Sequence, residues 1–422
     1  MQMEQAITER SIRGLLRGTD FKKHTALQNK AYLNLYIDMA LSCAQSPERL
    51  PIKIDEDSKV INGKKKHVFS TPSFIETLLL RSISKNLASV LPKNKDRKHI
   101  TREIKEHLKW GPQRLLLKLD IKTFYQSFKN DFVREVVENE HRLSIQTRAL
   151  LMKYLEWYWS LGHEGLPQGL QFSNPLAELC MVDFDTNLRA KSECLYYCRF
   201  VDDILIVMSS KLAQRKQVLR YLKQALPSGL TLNGDKQLLV EVKDKFAKGE
   251  HVFDYLGYKH IITGEAETEL TLTSKQEKFK HNKYYRKTKT LLSVSKCKKL
   301  KNRIYKAFHS FVSNGDIELL YDRIDYLTSS RVSGNKKQMN LSGLYYDNAE
   351  ITDFDDLREL DKFLNGMING GFGTLSGKIK LTRRQRNNLS NKSFYQRFRS
   401  KYVRRFSYYR RARMLGIWRS EK

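Results

Sequence analysis

The chain has 422 residues, 40% of them hydrophobic and 29% charged, which suffices for an ordinary buried core and for two or three domains. Its 77 Lys and Arg against 46 Asp and Glu leave a formal net charge of +31, so a large polyanion is the expected partner. Nucleic acid ranks ahead of a membrane surface because no long apolar span occurs, and five cysteines, Cys43, Cys180, Cys194, Cys198 and Cys297, lack metal-ligand spacing and predict a reducing, cytoplasmic setting.

Residues 1 to about 45 follow a helical period, as in Ile12-Leu15-Leu16 and Tyr32-Leu33-Leu35-Tyr36. Glu4, Glu9 and Asp20 interrupt the basic residues there, and no apolar core precedes a cleavage site, so neither export nor a membrane anchor is predicted. From Ile52 to Phe69, β-branched residues around Asn62-Gly63 predict a hairpin, with Lys64-Lys65-Lys66-His67 after its turn suited to gripping triphosphate. Ser70-Thr71-Pro72-Ser73 opens a long helix through Leu78, Leu79, Ile83 and Leu87, stopped near Pro92 and followed by a solvated basic loop from Lys93 to Lys98. Arg114 to about Asp254 reads as an α+β domain around an antiparallel sheet. Beyond Leu272, Lys275, Lys278, Lys280, Lys283, Lys287 and Lys289 are read over a helical pattern, and Arg331 to Gly343 as a polar loop. Asp353-Phe354-Asp355-Asp356 starts another helix. The tail from Lys378 to Arg419 contains no Asp or Glu, and its interleaved Phe394, Tyr395, Phe398, Tyr402, Phe406, Tyr408, Tyr409 and Trp418 suit either base stacking or a helical core with a solvated basic face.

Three carboxylates carry the chemistry. Phe200-Val201-Asp202-Asp203 lies between short apolar runs, a hairpin tip that presents adjacent acids. Asp120 ends another apolar run, Leu115-Leu116-Leu117-Lys118-Leu119. Unpaired charge in such surroundings costs several kcal/mol, which a pair of hard cations would relieve. Between these acids, Gly165-Leu166-Pro167-Gln168-Gly169 lets backbone approach a planar ligand, and Ser173-Asn174-Pro175 opens an amphipathic helix running to Leu188. Leu232-Asn233-Gly234-Asp235-Lys236 and Phe253-Asp254-Tyr255-Leu256-Gly257-Tyr258 follow.

In order and spacing this succession, from Ser70 to Tyr258, resembles the palm of reverse transcriptases. Asp120 to Phe128 is similar to their first palm motif, Gly165 to Pro175 to the second, and Phe200 to Asp203 to the acidic signature with Phe in the usual Tyr position. Leu232 to Lys236 and Phe253 to Tyr258 are similar to the fourth motif and the primer grip. The helix from Pro72 to Ile83 resembles the fingers of bacterial retron, abortive-infection and other defence-associated reverse transcriptases, including the shorter enzyme of type 3 defence systems that works beside a second one. The resemblance implies a right-hand polymerase: an N-terminal helical region (1–50), fingers (51–113), palm (114–262), helical thumb (263–330) and basic helical C-terminal extension (331–422).

It further implies an RNA-directed DNA polymerase in antiphage defence, working on dNTPs to give a DNA product, with an RNA template or structured non-coding RNA and a second reverse transcriptase or effector protein as partners. Asp120, Asp202 and Asp203, with the carbonyl of Ile121, would hold two Mg2+ ions, or Mn2+ in their place. Lys236 would protonate the departing pyrophosphate; Lys66, Phe124, Tyr125, Gln168 and Gly169 would meet the nucleotide; Tyr255, Leu256 and Gly257 would grip the primer. Tyr125 would collide with a ribose 2′-hydroxyl, favouring DNA synthesis. Two departures stand out: Lys66-His67-Val68-Phe69 replaces the usual phosphate-clamping arginine, and no endonuclease signature or zinc cluster follows the primer grip. Template-independent or protein-primed synthesis, and a catalytically silent RNA-binding scaffold, remain open alternatives.

Overall fold

The computed structural model describes residues 6–61, 64–93, 96–109, 114–209, 214–242, 250–272, 278–335, 338–371, 375 and 377–421, without the side chains of 59–61, 64–66, 265–272, 278–285, 333–335, 338–339, 408 and 419–421. Two compact units result: residues 1–94 with 114–241, and residues 95–113 with 242–422.

The first unit opens with helices α1 (Glu9–Arg13), α2 (Asp20–Lys23) and α3 (Lys30–Gln45), the last capped by the Asn29 side chain on the Ala31 N–H. Strands β1 (Asp55–Ile61) and β2 (Lys64–Ser70) form the expected antiparallel hairpin; its turn residues, 62–63, lie outside the described residues. Ser73 then caps α4 (Phe74–Val90), whose Leu78, Leu79, Leu80, Ile83 and Leu87 are fully buried. Arg81 on α4 forks onto both carboxylate oxygens of Asp20 at 2.7 and 2.9 Å, fixing the N-terminal helices to it. The next helix, α5 (Arg97–Lys109), belongs to the second unit. Its first turn replaces the end of the expected 93–98 loop, because the Asp96 carboxylate accepts the His99 N–H at 2.7 Å and caps it.

A four-stranded sheet is built from β3 (Arg114–Asp120), β4 (Cys194–Phe200), β5 (Asp203–Met208) and β6 (Leu238–Val242), in the spatial order β4-β5-β3-β6. In β3 the residues 115, 116, 117 and 119 are all buried, as are 204–208 in β5; strands covered on both faces read as continuous apolar runs. Helices α6 (Asn130–Asn139), α7 (Ile145–Ser160), α8 (Ser173–Cys180) and α9 (Val182–Arg189) share one core with them through Val133, Leu151, Leu176 and Phe184. The helix expected from Ser173 to Leu188 is broken at Met181 into α8 and α9. Helix α10 (Arg215–Ala225) precedes β6.

The second unit contains the antiparallel sheet β7 (Glu250–Tyr255), β8 (Tyr258–Leu272) and β9 (Lys278–Leu292), then α11 (Val294–Asn314) and α12 (Ile317–Thr328). The helical reading of 278–289 is corrected here: the segment is a strand, and Lys275 lies outside the described residues. Burial shows why, since Arg286 and Thr290 are buried while Lys287 and Lys289 are exposed, a period of two filled with β-branched and aromatic residues. The loop read at 331–343 is also corrected, to a hairpin of β10 (Ser330–Asn335) and β11 (Gln338–Gly343). Its Ser, Gly and Asn content signals turns, but pairing of Ser330 and Arg331 with the later β12 (Val403–Arg404) recruits it into a sheet. Before that strand come α13 (Asp355–Asn369), α14 (Arg383–Ser390) and α15 (Phe394–Arg399), and after it α16 (Tyr408–Leu415). A separate core joins Phe308, Leu320, Leu360, Phe394 and Trp418.

Candidate active site

Strand pairing brings the three acids together. Asp120, the last residue of β3, stands in register with Asp203, the first of β5, so their side chains leave neighbouring strands side by side. Asp202 occupies the turn from β4 into β5, and its carbonyl accepts the Ile121 N–H at 3.0 Å. Asp120 is 6% exposed; its Oδ1 accepts Lys236 Nζ at 2.8 Å and its Oδ2 the Asn233 side-chain amide at 2.9 Å. The Asn233 N–H donates to the Asp120 carbonyl at 2.7 Å, which brings the Leu232–Lys236 segment alongside.

The electrostatics are those of crowded negative charge. Burial, then the neighbouring Asp202 and Asp120 carboxylates, push the Asp203 pKa up against the pull of Lys118 and Lys236. The Lys236 pKa is raised as well, by its hydrogen bond to Asp120 and by the charges of the three acids, so it stays protonated at neutral pH. Its ammonium supplies the positive charge this cluster demands. Hard oxygen donors with uncompensated like charge fit a divalent cation in both chemistry and sign. In this conformation, with Lys236 seated on Asp120, no group of three His, Cys, Asp or Glu among the described residues forms a ready metal-ligand set.

Beneath the acidic turn lies a network that the sequence did not single out. Arg199, the residue before Phe200, is 2% exposed at its side chain and uses all five N–H donors. Nε and Nη2 meet Asp185 at 2.9 and 2.8 Å, Nη1 and Nη2 meet Glu178 at 3.1 and 2.8 Å, and Nη1 also reaches the Val201 carbonyl at 3.0 Å. Burial opposes its charge, but the hydrogen bonds and charges of Asp185 and Glu178 outweigh it and raise its pKa. Val201 sits at φ 61°, in the left-handed region, which costs a β-branched residue ~1–3 kcal/mol. An arginine spaced two residues before a carbonyl is no sequence signal; only the fold reveals this contact.

Tyr125 lies on a short turn (Phe124–Ser127) after Thr123 at φ 45°, half-buried, with its hydroxyl donating to the Asn174 side chain at 3.3 Å. Phe124 is 4% exposed and packs against Phe128. The Leu166 N–H donates to the Tyr125 carbonyl at 2.8 Å, and a Cβ on Gly165 would stand 2.3 Å from that oxygen. At the other end, the Phe69 N–H donates to the Gln168 carbonyl at 2.8 Å, and a Cβ on Gly169, at φ 118°, would meet the Phe69 oxygen at 2.4 Å. Both glycines are therefore required by close backbone approach. Gln168 accepts from the Gln126 side chain at 3.1 Å. The side chain of Lys66 lies outside the described residues. Tyr255, Leu256 and Gly257 belong to the second unit, where Leu256 (φ 49°) and Gly257 (φ 75°) form the tight turn between β7 and β8.

Residues 58–260 match the family model described as reverse transcriptase (RNA-dependent DNA polymerase). Over those residues, just under half of the chain, it is similar to reverse transcriptases. Members of that family are RNA-dependent DNA polymerases, which generally use divalent metal ions. The matched residues include Asp120, Asp202, Asp203 and Lys236. Among solved structures, the chain is similar to apo telomerase from Candida tropicalis truncated from its C-terminal domain, at 14% identity and a TM-score of 0.33. That similarity covers 49% of this chain and 52% of the telomerase chain, so the protein spans about half the length of that structure. No curated protein matches. No helix among the described residues is long and apolar enough to cross a membrane.

Proposed function

We propose that this chain is an RNA-directed DNA polymerase acting through Asp120, Asp202 and Asp203, with a right-hand arrangement of fingers, palm and thumb and a setting in bacterial antiphage defence beside a non-coding RNA. The observation that carries the catalytic part is the register of Asp120 with Asp203 next to Asp202, because it crowds three carboxylates at one end of a buried sheet. Asp120 and Asp202, with the Ile121 carbonyl, hold divalent cations, and Asp203 completes the negative charge. Such cations, when bound, neutralise the triphosphate and activate a primer hydroxyl. Lys236, protonated and hydrogen-bonded to Asp120 beside the acids, would donate a proton to the departing pyrophosphate. Tyr125, braced by Asn174, excludes the ribose 2′-hydroxyl, while the bare backbone of Gly169 is taken up by Phe69 and not left to the nucleotide.

The defence setting rests on the resemblance of the Pro72–Ile83 helix to fingers of that group of enzymes. Asp202→Ala with Asp203→Ala is expected to abolish divalent-metal-dependent dNTP incorporation on an RNA template while RNA binding stays within about twofold of wild type. Incorporation retained by the purified double variant would remove the catalytic assignment.

A further inference from the structure

The turn that carries Asp202 is held from two sides. Residue 202 is flanked by two peptide planes, whose orientations set the direction of its side chain. The carbonyl of the second plane, on Asp202 itself, accepts the Ile121 N–H at 3.0 Å. The carbonyl of the first plane, on Val201, accepts Arg199 Nη1 at 3.0 Å. Val201 is the strained member: φ 61° on a β-branched residue persists only where surroundings impose it. Arg199 can impose it because its own position is fixed, with the remaining four donors locked on Glu178 of α8 and Asp185 of α9. Glu178 and Arg199 also lie within the electrostatic reach of Tyr125.

We propose that Arg199 is a positioning residue for catalysis: it tethers the Val201 carbonyl, holds that residue in the left-handed region, and so aims the Asp202 carboxylate. The role rests on the polymerase reading above but is testable apart from it. Lysine cannot replace it, since three donors on a flexible stem cannot satisfy two carboxylates and a carbonyl together. Glycine adopts positive φ without strain, so Gly at 201 keeps the turn without the tether.

The experiment is a cycle of Arg199→Lys, Val201→Gly and the double variant, read by kcat and KM for dNTP incorporation and by amide hydrogen exchange over residues 200–204. Arg199→Lys is expected to lower kcat about 100-fold, with KM shifted less, and to speed exchange in the turn. Val201→Gly in that background is expected to recover at least about 10-fold of kcat, which restoring bulk stability would not do. Failure of glycine to rescue, or unchanged exchange in Arg199→Lys, overturns the proposal. If Arg199→Lys unfolds, Arg199→Lys with Glu178→Gln, which removes one of the two carboxylates left short of donors, takes its place in the cycle. A wild-type protein that incorporates nothing sinks the polymerase reading instead, and the exchange comparison still decides the role of Arg199.

Discussion

After burial, the Asp202 and Asp120 carboxylates raise the cost of charge on Asp203, and the ammonium of Lys236, seated on Asp120, works against them. Tyr125 is another residue whose chemistry follows from its place: burial, then Glu178 and Asp202, raise its pKa, so the phenol stays neutral with a hydrogen-bonded tip. Tyr125→Ala is expected to raise the ratio of rNTP to dNTP incorporation about 10- to 100-fold, measured as kcat/KM for matched pairs. An unchanged ratio would leave sugar selection unexplained by this residue. Phe124, one position earlier, shows the limit of residue-level reading: it is as aromatic as Tyr125, yet the turn sends it into the core.

Elements are stabilised by contacts between segments far apart in sequence, and α4 is the clearest case. Its Arg81 pairs with Asp20 on α2, and both side chains are nearly buried. Burial pushes the Asp20 pKa up, but the hydrogen bonds from Arg81 and the Arg17 N–H, with their charge, outweigh it and lower it below the usual value. A lowered folded pKa makes the stabilisation complete above the unfolded value of about 3.9 and lost as pH falls through the folded one. Asp20→Asn should therefore cost about 3 kcal/mol in urea unfolding at neutral pH, the gap to wild type closing as pH falls through the lowered folded pKa. A gap that persists in acid would mean packing rather than charge. The same scale explains the errors of sequence reading. The hairpin β1–β2 and α4 were legible because turn, cap and stop signals are local. Strand β9 was not, because lysines spaced at two, three and four residues satisfy either period until the strand finds β8. Strand β10 was hidden by turn-forming residues that pair only once β12 arrives.

Across the whole molecule, the excess positive charge divides into two kinds. In the second unit, Asp325 on α12 is 1% exposed and accepts Lys392 at 2.9 Å and Arg397 at 2.7 Å, with Arg404 also upon it. Arg410 pairs with Asp322 and Arg413 with Asp316. Phe394, Phe398 and Trp418 are core, so this part of the tail is fastened down by its own charges and rings, and the base-stacking reading of those three is corrected. Arg383, Arg384 and Arg386 on α14 are exposed, and no ion pair to them occurs among the described residues. Asp325→Asn is expected to destabilise the protein by about 3–5 kcal/mol by stranding buried cations. Arg383→Ala with Arg384→Ala and Arg386→Ala should leave the melting point unchanged, weaken single-stranded nucleic acid binding and reduce the slope of log affinity against log salt by about 2. An unchanged slope would place the grip elsewhere.

By itself the sequence determined three acids at the ends of apolar runs, two glycines that call for a close approach, and a charge that calls for a polyanion. These are written in residue type and spacing, which act locally. Tertiary structure alone decided which arginines are occupied with aspartates and which face solvent, which aromatics are core, and that Arg199 tethers the turn before Asp202. Each of these depends on partners brought together from distant parts of the chain, where no local pattern records the meeting.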